Sequence, residues 1–359
     1  MQEAINVNNV LHFLLLFCLQ RFNGERSLSA VFHLLSGKKS AQTLQDSKWF
    51  RLERVFGICK DVSMYEIEQA ARELLKQRWI APHGERSYIL TDAGRRELEQ
   101  QLPSAHFLQH MNGFLYHSTE TLFWYRLSLV VQTISNLVHQ RSFEPIHRHE
   151  ATFIWVKRYL LSQKRPIAEL AKALYEELYA LCSSLSEEKA TIVTLRLTSF
   201  ERIGWTNEQL AVFFQTDPLY VQFMFHDALH YIMERAEREA TSFPILHELV
   251  KDLVSPLSLT KSAHKTYEWL RKGKTIEEVA RIRGLKRSTI EDHVVEIAAN
   301  VPEFSIEPLI DAETIEKVVA ATKRLGTKQL KKIREAVGEH VSYFEIRLVL
   351  AKEGENSAS

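Results

Sequence analysis

Residues 275–294 read Thr275-Ile-Glu-Glu-Val-Ala-Arg-Ile-Arg-Gly-Leu-Lys-Arg-Ser-Thr-Ile-Glu-Asp-His-Val294, and this stretch predicts two short helices joined by a tight turn. Thr275 with Glu278, and Ser288 with Glu291, have the spacing in which a hydroxyl and a carboxylate cap a helix start reciprocally. Gly284 falls where such a turn needs positive φ, which glycine adopts without a Cβ penalty. Ala280 is small where the helices must approach, and Ile276, Val279, Leu285, Ile290 and Val294 form one apolar seam. In DNA-binding versions of this layout the second helix enters the major groove. Lys274, Arg281, Arg283, Lys286 and Arg287 supply positive charge around it, and Ser288 and Thr289 add hydroxyls, so these seven are the candidate DNA-binding residues. Lys286 and Arg287 precede the second helix, where free N–H groups also favour a phosphate. On the other side of the balance, Glu291, Asp292 and Glu296 belong to the same helix, and Asp292 and Glu296 are expected to face the groove. A second basic cluster, Lys323, Arg324, Lys328, Lys331, Lys332 and Arg334, extends the surface.

The composition fits this reading within limits. The 359 residues suffice for two or three domains. Only 12 glycines and 9 prolines favour long helices over a many-stranded sandwich. The net charge is +1, from 46 basic against 45 acidic side chains, so nucleic-acid contact must come from a local patch and not from bulk charge. Cys18, Cys59 and Cys182 lack CxxC spacing and read as core residues of a reducing compartment. The apolar run at residues 10–19 is too short to span a bilayer and has no basic flank, which predicts a buried first helix of a cytoplasmic protein.

Outward from the helix-turn-helix, the chain divides into three expected blocks and a tail. Residues 1–102 hold a helix at 8–21, elements at 27–35 and 48–56, and a capped helix opening at Ser63-Met-Tyr-Glu66. A hairpin with Pro82, His83 and Gly84 near its tip then leads into Thr91-Asp-Ala-Gly-Arg95, which resembles the end of a winged-helix domain. His83, Arg86 and Arg78 are the wing residues within reach of a phosphate, with Glu85 beside them. Residues 103–254 read as an all-helical middle domain, with a long helix at 114–140 whose Phe114, Tyr116, Phe123, Trp124 and Tyr125 form core. Within it, residues 189–232 form a helix-turn-helix-like unit similar to the fourth region of sigma factors. It departs from that pattern, since Gln215 stands at the turn and the following helix carries Leu219, Tyr220, Val221, Phe223, Met224 and Phe225 with no cation until Arg235. Such a helix is expected to be buried. Residues 255–352 form the C-terminal domain, in which Gly326 ends one helix, Thr327 opens the next, and Ser342-Tyr-Phe-Glu345 caps the last; residues 353–359 are expected as a disordered tail.

Catalytic signals are weak. His226-Asp-Ala-Leu-His230 has the one-turn spacing of a zinc helix, but Asp227 replaces the expected glutamate and no third ligand is evident. His147-Arg-His149 reads as a turn. Ser36-Gly-Lys-Lys-Ser40 lacks the upstream glycine of a phosphate loop, since Phe32 occupies that position. No nucleophile elbow or dinucleotide loop is present, so no enzyme, no catalytic residue, no metal and no cofactor is expected.

The run from Thr275 to Ile297, continued by residues 325–351, resembles the helicase helix-turn-helix domain at the C-terminus of some RecQ-type DNA helicases, over roughly residues 257–352. The whole chain, helical at its start and lacking a motor, resembles the stand-alone YpbB-like proteins of Bacillus-type bacteria. The resemblance implies a mainly α protein with a winged-helix-like N-terminal domain, a helical middle domain and a C-terminal helix-turn-helix domain. It also implies a DNA-binding accessory role beside a RecQ-type helicase in repair or recombination. A helix-turn-helix transcriptional regulator and a protein-interaction scaffold without DNA binding are the alternatives, and the oligomeric state is open.

Overall fold

The computed structural model describes residues 10–84, 86–254 and 259–356. In chain order its helices and strands are α1 (Val10–Phe22), α2 (Leu28–Leu35), α3 (Ala41–Trp49), α4 (Met64–Lys76), β1 (Ile80–His83), β2 (Ser87–Leu90), α5 (Asp92–Gln101), α6 (Gly113–Tyr116), α7 (Glu120–Val138), α8 (Glu150–Ser162), α9 (Ile167–Cys182), α10 (Glu187–Arg196), α11 (Asn207–Phe214), α12 (Pro218–Arg238), α13 (Pro244–Val250), α14 (Lys261–Arg271), α15 (Ile276–Arg283), α16 (Arg287–Asn300), α17 (Ala312–Leu325), α18 (Leu330–Val337) and α19 (Tyr343–Asn356). The protein is mainly α, as expected.

The consecutive blocks do not each form a compact unit. One unit holds residues 10–14 with Arg96–Val254, and the other joins Leu15–Arg95 to residues 259–356. The N-terminal and C-terminal blocks are therefore one body. The reason is local: α3 packs against both α16 and α19, and Arg347 of α19 donates to the Gln45 amide oxygen of α3 at 3.1 Å. The Ser255-Pro256 boundary, residues 8 and 9 of the expected first helix, and Glu85 of the wing lie outside the described residues. The expected tail is shorter too, because α19 continues to Asn356.

In the first unit, α12 is the central element, packed by α7, α10, α11, α13 and the 3-10 turn His106–Leu108. Thirteen of its side chains are buried, including Tyr220, Val221, Phe223, Met224 and Phe225, so the helix without cations is internal as expected. Gln215 takes the left-handed turn (φ 52°) that glycine usually fills. The expected helix at 114–140 is broken, because Asn112 caps α6 and α7 begins afresh at Glu120.

Two buried polar clusters hold this unit. His226 Nδ1 and His230 Nε2 meet the same Glu120 oxygen at 2.9 and 2.8 Å. The Asn112 backbone N–H donates to His230 Nδ1 at 3.0 Å, which puts the imidazole proton on Nε2, facing Glu120. A ring in that tautomer donates to the carboxylate instead of ligating a metal. Burial alone would raise the Glu120 carboxyl, but His226 and His230 outweigh it and hold it well below its ordinary range. One turn away, Lys189 Nζ pairs with Asp227 Oδ2 at 2.6 Å, both fully buried, and donates to the His106 carbonyl at 2.9 Å. His147 and His149 are likewise structural: His147 meets Ser128 Oγ at 2.8 Å, and His149 Nδ1 caps α8 by accepting from Thr152 N.

The second unit contains the winged-helix elements. Ile67, Ala70, Ala71 and Leu74 give α4 one buried face, and Ser63 and Glu66 cap it reciprocally. β1 and β2 pair antiparallel from Ile80–Leu90 to His83–Ser87, and Ser27 bridges to Ser87 on the free edge. Thr91 Oγ1 accepts from Gly94 N at 3.1 Å and donates to the Arg78 carbonyl at 2.7 Å, so the strand runs into a threonine-capped helix. A Cβ on Gly94 would lie 2.0 Å from the Trp79 carbonyl oxygen, which excludes any other residue there. Ser40, in the stretch resembling a phosphate loop, is the N-cap of α3.

Replacing Lys189 with Met should destabilise the fold by about 3–5 kcal/mol, because Asp227 is left buried and unpaired; chemical denaturation measures this, and a loss under 1 kcal/mol contradicts the pairing. The depressed Glu120 carboxyl favours the folded state above its unfolded value of 4.5, an advantage lost as pH falls through its lower folded value. The melting-temperature gap between wild type and Glu120→Gln should therefore be wide at pH 7 and should shrink progressively as the pH is taken down from 4.5.

Candidate nucleic-acid interface

α14, α15 and α16 form the helix-turn-helix. α15 starts with the reciprocal cap: Glu278 N donates to Thr275 Oγ1 at 3.2 Å, and Thr275 N donates to the Glu278 carboxylate at 2.9 Å. It ends at Gly284 (φ 62°, ψ 33°), and Leu285 N donates to the Ala280 carbonyl at 3.0 Å to close the turn. Nothing lies within 4 Å of a Cβ placed on Gly284, so only the backbone conformation demands glycine.

The second helix starts earlier than expected. Lys286 is its N-cap and Arg287 its first residue, with no side-chain cap, so the predicted Ser288–Glu291 cap does not form. Glu291 instead receives Arg287 Nε at 2.8 Å. The apolar seam is present, with Ile276, Val279, Ile290 and Val294 buried. Beyond its first turn α16 is walled in by α14, α19 and α3, and Ile290, His293, Val294, Val295, Ile297, Ala298 and Ala299 are all buried. Ala263, Ile297 and Val301 anchor this core, with Tyr267, Leu270 and Phe304 packed on it.

The seven candidate residues divide by what they touch. Arg281 and Lys286 are exposed, enter no ion pair among the described residues, and flank the turn; Ser288 is exposed beside them. Thr289 is half-buried. Lys274 pairs with Glu278 at 3.1 Å. Arg287 is bridged by Glu291 at 2.8 Å and Glu277 at 2.6 Å, which raise its guanidinium further above its ordinary value. Arg283 points inward, donating to the Ser262 carbonyl at 2.9 Å, Ser262 Oγ at 3.0 Å and Thr266 Oγ1. It is a strut between α15 and α14. Burial, with Arg283 adding to it, lowers the His293 imidazole next to this strut.

The acids of α16 do not behave as expected from the sequence. Asp292 pairs with Arg347 at 2.5 Å, and Glu296 accepts from Thr260 Oγ1 at 3.1 Å and from its backbone N–H, capping α14. Neither carboxylate is free to repel a phosphate. Their partners lie 55 and 36 residues away along the chain, so no local pattern reveals them. Next to Arg287 a groove of about 830 Å³ is lined by Lys274, Glu277, Glu291, Tyr343 and Glu345 among others. Its three carboxylates outnumber Lys274 and Arg287, so it does not attract a polyanion.

In the wing, His83 is packed against Gly24, where a Cβ would come within 2.4 Å of its ring. Arg78 takes a left-handed conformation (φ 59°) at the entry to β1, and Arg86 follows the tip.

A capped helix, a left-handed glycine turn and a second helix over a shared apolar seam define a helix-turn-helix protein. A family model described as a helix-turn-helix domain matches residues 262–350. The whole chain is 36% identical over 352 residues to Protein YpbB of Bacillus subtilis (strain 168), covering 96% of this chain and 98% of that relative, and it belongs to the YpbB family. No solved structure matches it. Among the described residues, no group of His, Cys, Asp and Glu could hold a metal, and no helix is long and apolar enough to cross a membrane.

Arg283→Ala should lower stability by about 2 kcal/mol through its lost charged hydrogen bonds. Gly284→Ala should cost about 1 kcal/mol for the left-handed turn alone. Lys286→Ala should leave the melting temperature unchanged. A silent Arg283→Ala would overturn the strut assignment.

Proposed function

We propose that this protein is a non-catalytic DNA-binding accessory factor that works beside a RecQ-family helicase in repair or recombination. The observation that carries the DNA reading is the exposed Arg281 and Lys286 on either side of the Gly284 turn, neither in an ion pair among the described residues. The enclosure of α16 sets the mode of contact. A helix covered by α14, α19 and α3 has little surface to lay along base edges, so phosphates and not sequence are contacted. Such binding positions a protein without reading a site. The helicase partner is proposed from the resemblance of residues 257–352 to the domain found at the C-terminus of RecQ-type helicases, together with the lack of any motor motif in this chain. On this reading the protein supplies in trans what those helicases carry in cis.

One observation favours a second reading, a protein-interaction scaffold: the carboxylates that neutralise Lys274 and Arg287. Under that reading no salt-dependent DNA retention occurs. Under the first, the full chain binds duplexes of unrelated sequence about equally and releases them steeply as salt rises. Arg281→Glu with Lys286→Glu should weaken this retention several-fold with an unchanged melting temperature. A pull-down of the cell's RecQ-type helicase that survives nuclease supports the partnership; one that disappears with nuclease leaves DNA as the only link, and none at all removes the helicase role.

A further inference from the structure

The C-terminal block contains a second helix pair, α17 and α18, joined through Gly326 in the left-handed conformation (φ 58°, ψ 29°). The two pairs differ in charge. Residues 274–293 contain five cations and four carboxylates, whereas residues 323–334, Lys-Arg-Leu-Gly-Thr-Lys-Gln-Leu-Lys-Lys-Ile-Arg, contain six cations and no carboxylate. They differ equally in burial. α16 buries seven side chains along its length, but α18 fully buries Ile333 alone, with Leu330, Arg334 and Val337 half-buried and Lys331, Lys332, Glu335 and Ala336 exposed.

Four of the six cations are available. Lys323, Arg324, Lys331 and Lys332 are exposed, and none enters an ion pair among the described residues. Of the other two, Arg334 is used internally, donating to the Val341 and Glu339 carbonyls. Lys328 is half-buried over the Phe50 ring, and its backbone N–H donates to Glu25 at 2.8 Å. Charges around Lys328 are mixed, since Arg51 and Arg26 act on it together with Glu25, Glu53 and Glu353, so the free cations are those of the α17–α18 turn itself. The carboxylate whose field reaches Lys323 and Lys328 is Glu353, which is itself half-buried.

The positions of these side chains separate a ligand surface from ordinary solvation. Lys323 and Arg324 occupy the last turn of α17, where cations complement the helix dipole and need no other explanation. Lys331 and Lys332 occupy the first turn of α18, where the same dipole disfavours them. That turn has no acidic residue and no side-chain cap to offset them. At the corresponding place in α16, Arg287 is compensated by Glu277 and Glu291. Lys331 and Lys332 enter no such ion pair among the described residues, the acid of their own helix, Glu335, lying a turn further on, and an external polyanion supplies the counter-charge.

We propose that the α17–Gly326–α18 turn, through Lys323, Arg324, Lys331 and Lys332, is the principal phosphate-contacting surface for a nucleic-acid backbone. The proposal rests on the DNA-binding reading above and moves its main contact from the first helix pair to the second. A tract of ammonium and guanidinium groups on an uncovered turn follows a backbone without base selection, each contact releasing counterions.

The test uses the full chain, a fluorescein-labelled duplex and a salt titration followed by anisotropy. One variant carries Lys323→Gln, Arg324→Gln, Lys331→Gln and Lys332→Gln, all at exposed positions, with its fold checked by thermal melting. A second carries Arg281→Gln and Lys286→Gln. The quadruple variant should bind at least about tenfold more weakly at moderate salt and flatten the log K against log salt slope by roughly 3. The double variant should lose about two- to threefold. Wild-type affinity and slope in the folded quadruple variant, or a larger loss in the double variant, overturns this assignment while leaving DNA binding intact. Failure of the wild-type protein to bind the duplex at low salt defeats both. If the quadruple variant does not fold, the pair Lys331→Gln and Lys332→Gln alone should still flatten the slope by about 1–2, and an unchanged slope overturns the proposal.

Discussion

The enclosure of α16 is the constraint on which the rest of this protein's second unit depends. Seven of its side chains are buried, and three separate elements, α14, α19 and α3, close over it. The polar side of the same helix is consumed in the closure, with Asp292 tied to Arg347 and Glu296 capping the start of α14. Each of these contacts fixes a helix that a free reading helix would leave to solvent. What remains open among the described residues is the first turn, the loop before it and the exposed last turn of α15 with Arg281, and there this helix pair can meet a large anion.

Electrostatics follow the same logic of internal use. In a chain with nearly equal numbers of acids and bases, the pairing differs from place to place. Arg283 is drawn into bonds to α14 and Arg287 into bonds within the first pair of helices, while the α17–α18 turn has no acid in its sequence to do so. In the first unit, burial turns the same chemistry into structure. Lys189 with Asp227, and Glu120 with two histidines, are charged or polar groups inside a helical core, and each survives there because its partners are complete.

Much of the architecture was legible in the residues, where the determining interactions are local. The Thr275–Glu278, Ser63–Glu66 and Ser342–Glu345 caps, the glycine turns at 284 and 326, and the burial of the helix after Asp217 all depend on neighbours within a few positions. Two failures are competitions between neighbouring start points of a helix. The Ser288–Glu291 cap gave way because Glu291 found Arg287, and Lys286 had already begun the helix. Thr327 gave way to Gln329 as the start of α18 for a reason of the same kind, a three-residue connector after Gly326. Of the candidate site, the cations were legible but their availability was not. Whether an arginine faces water or a carbonyl depends on which distant helix lies beside it, and Ser262 for Arg283 is 21 residues away.

The discontinuity of the second unit bears on how the protein emerges during translation. Its first portion, ending at Arg95, is complete while the helices that finish the same body are still unmade. At ordinary elongation rates the intervening block delays them by roughly ten to thirty seconds. For that interval the side of α3 destined for α16 and α19 stands in water. Gln45, which receives Arg347 of α19, is polar, and the other buried positions of α3 are mostly hydrophilic too (Thr43, Asp46 and Ser47, with Trp49 at the end), so the nascent helix waits with few greasy side chains. A body assembled from both ends of a polypeptide is thereby spared an adhesive intermediate on the ribosome.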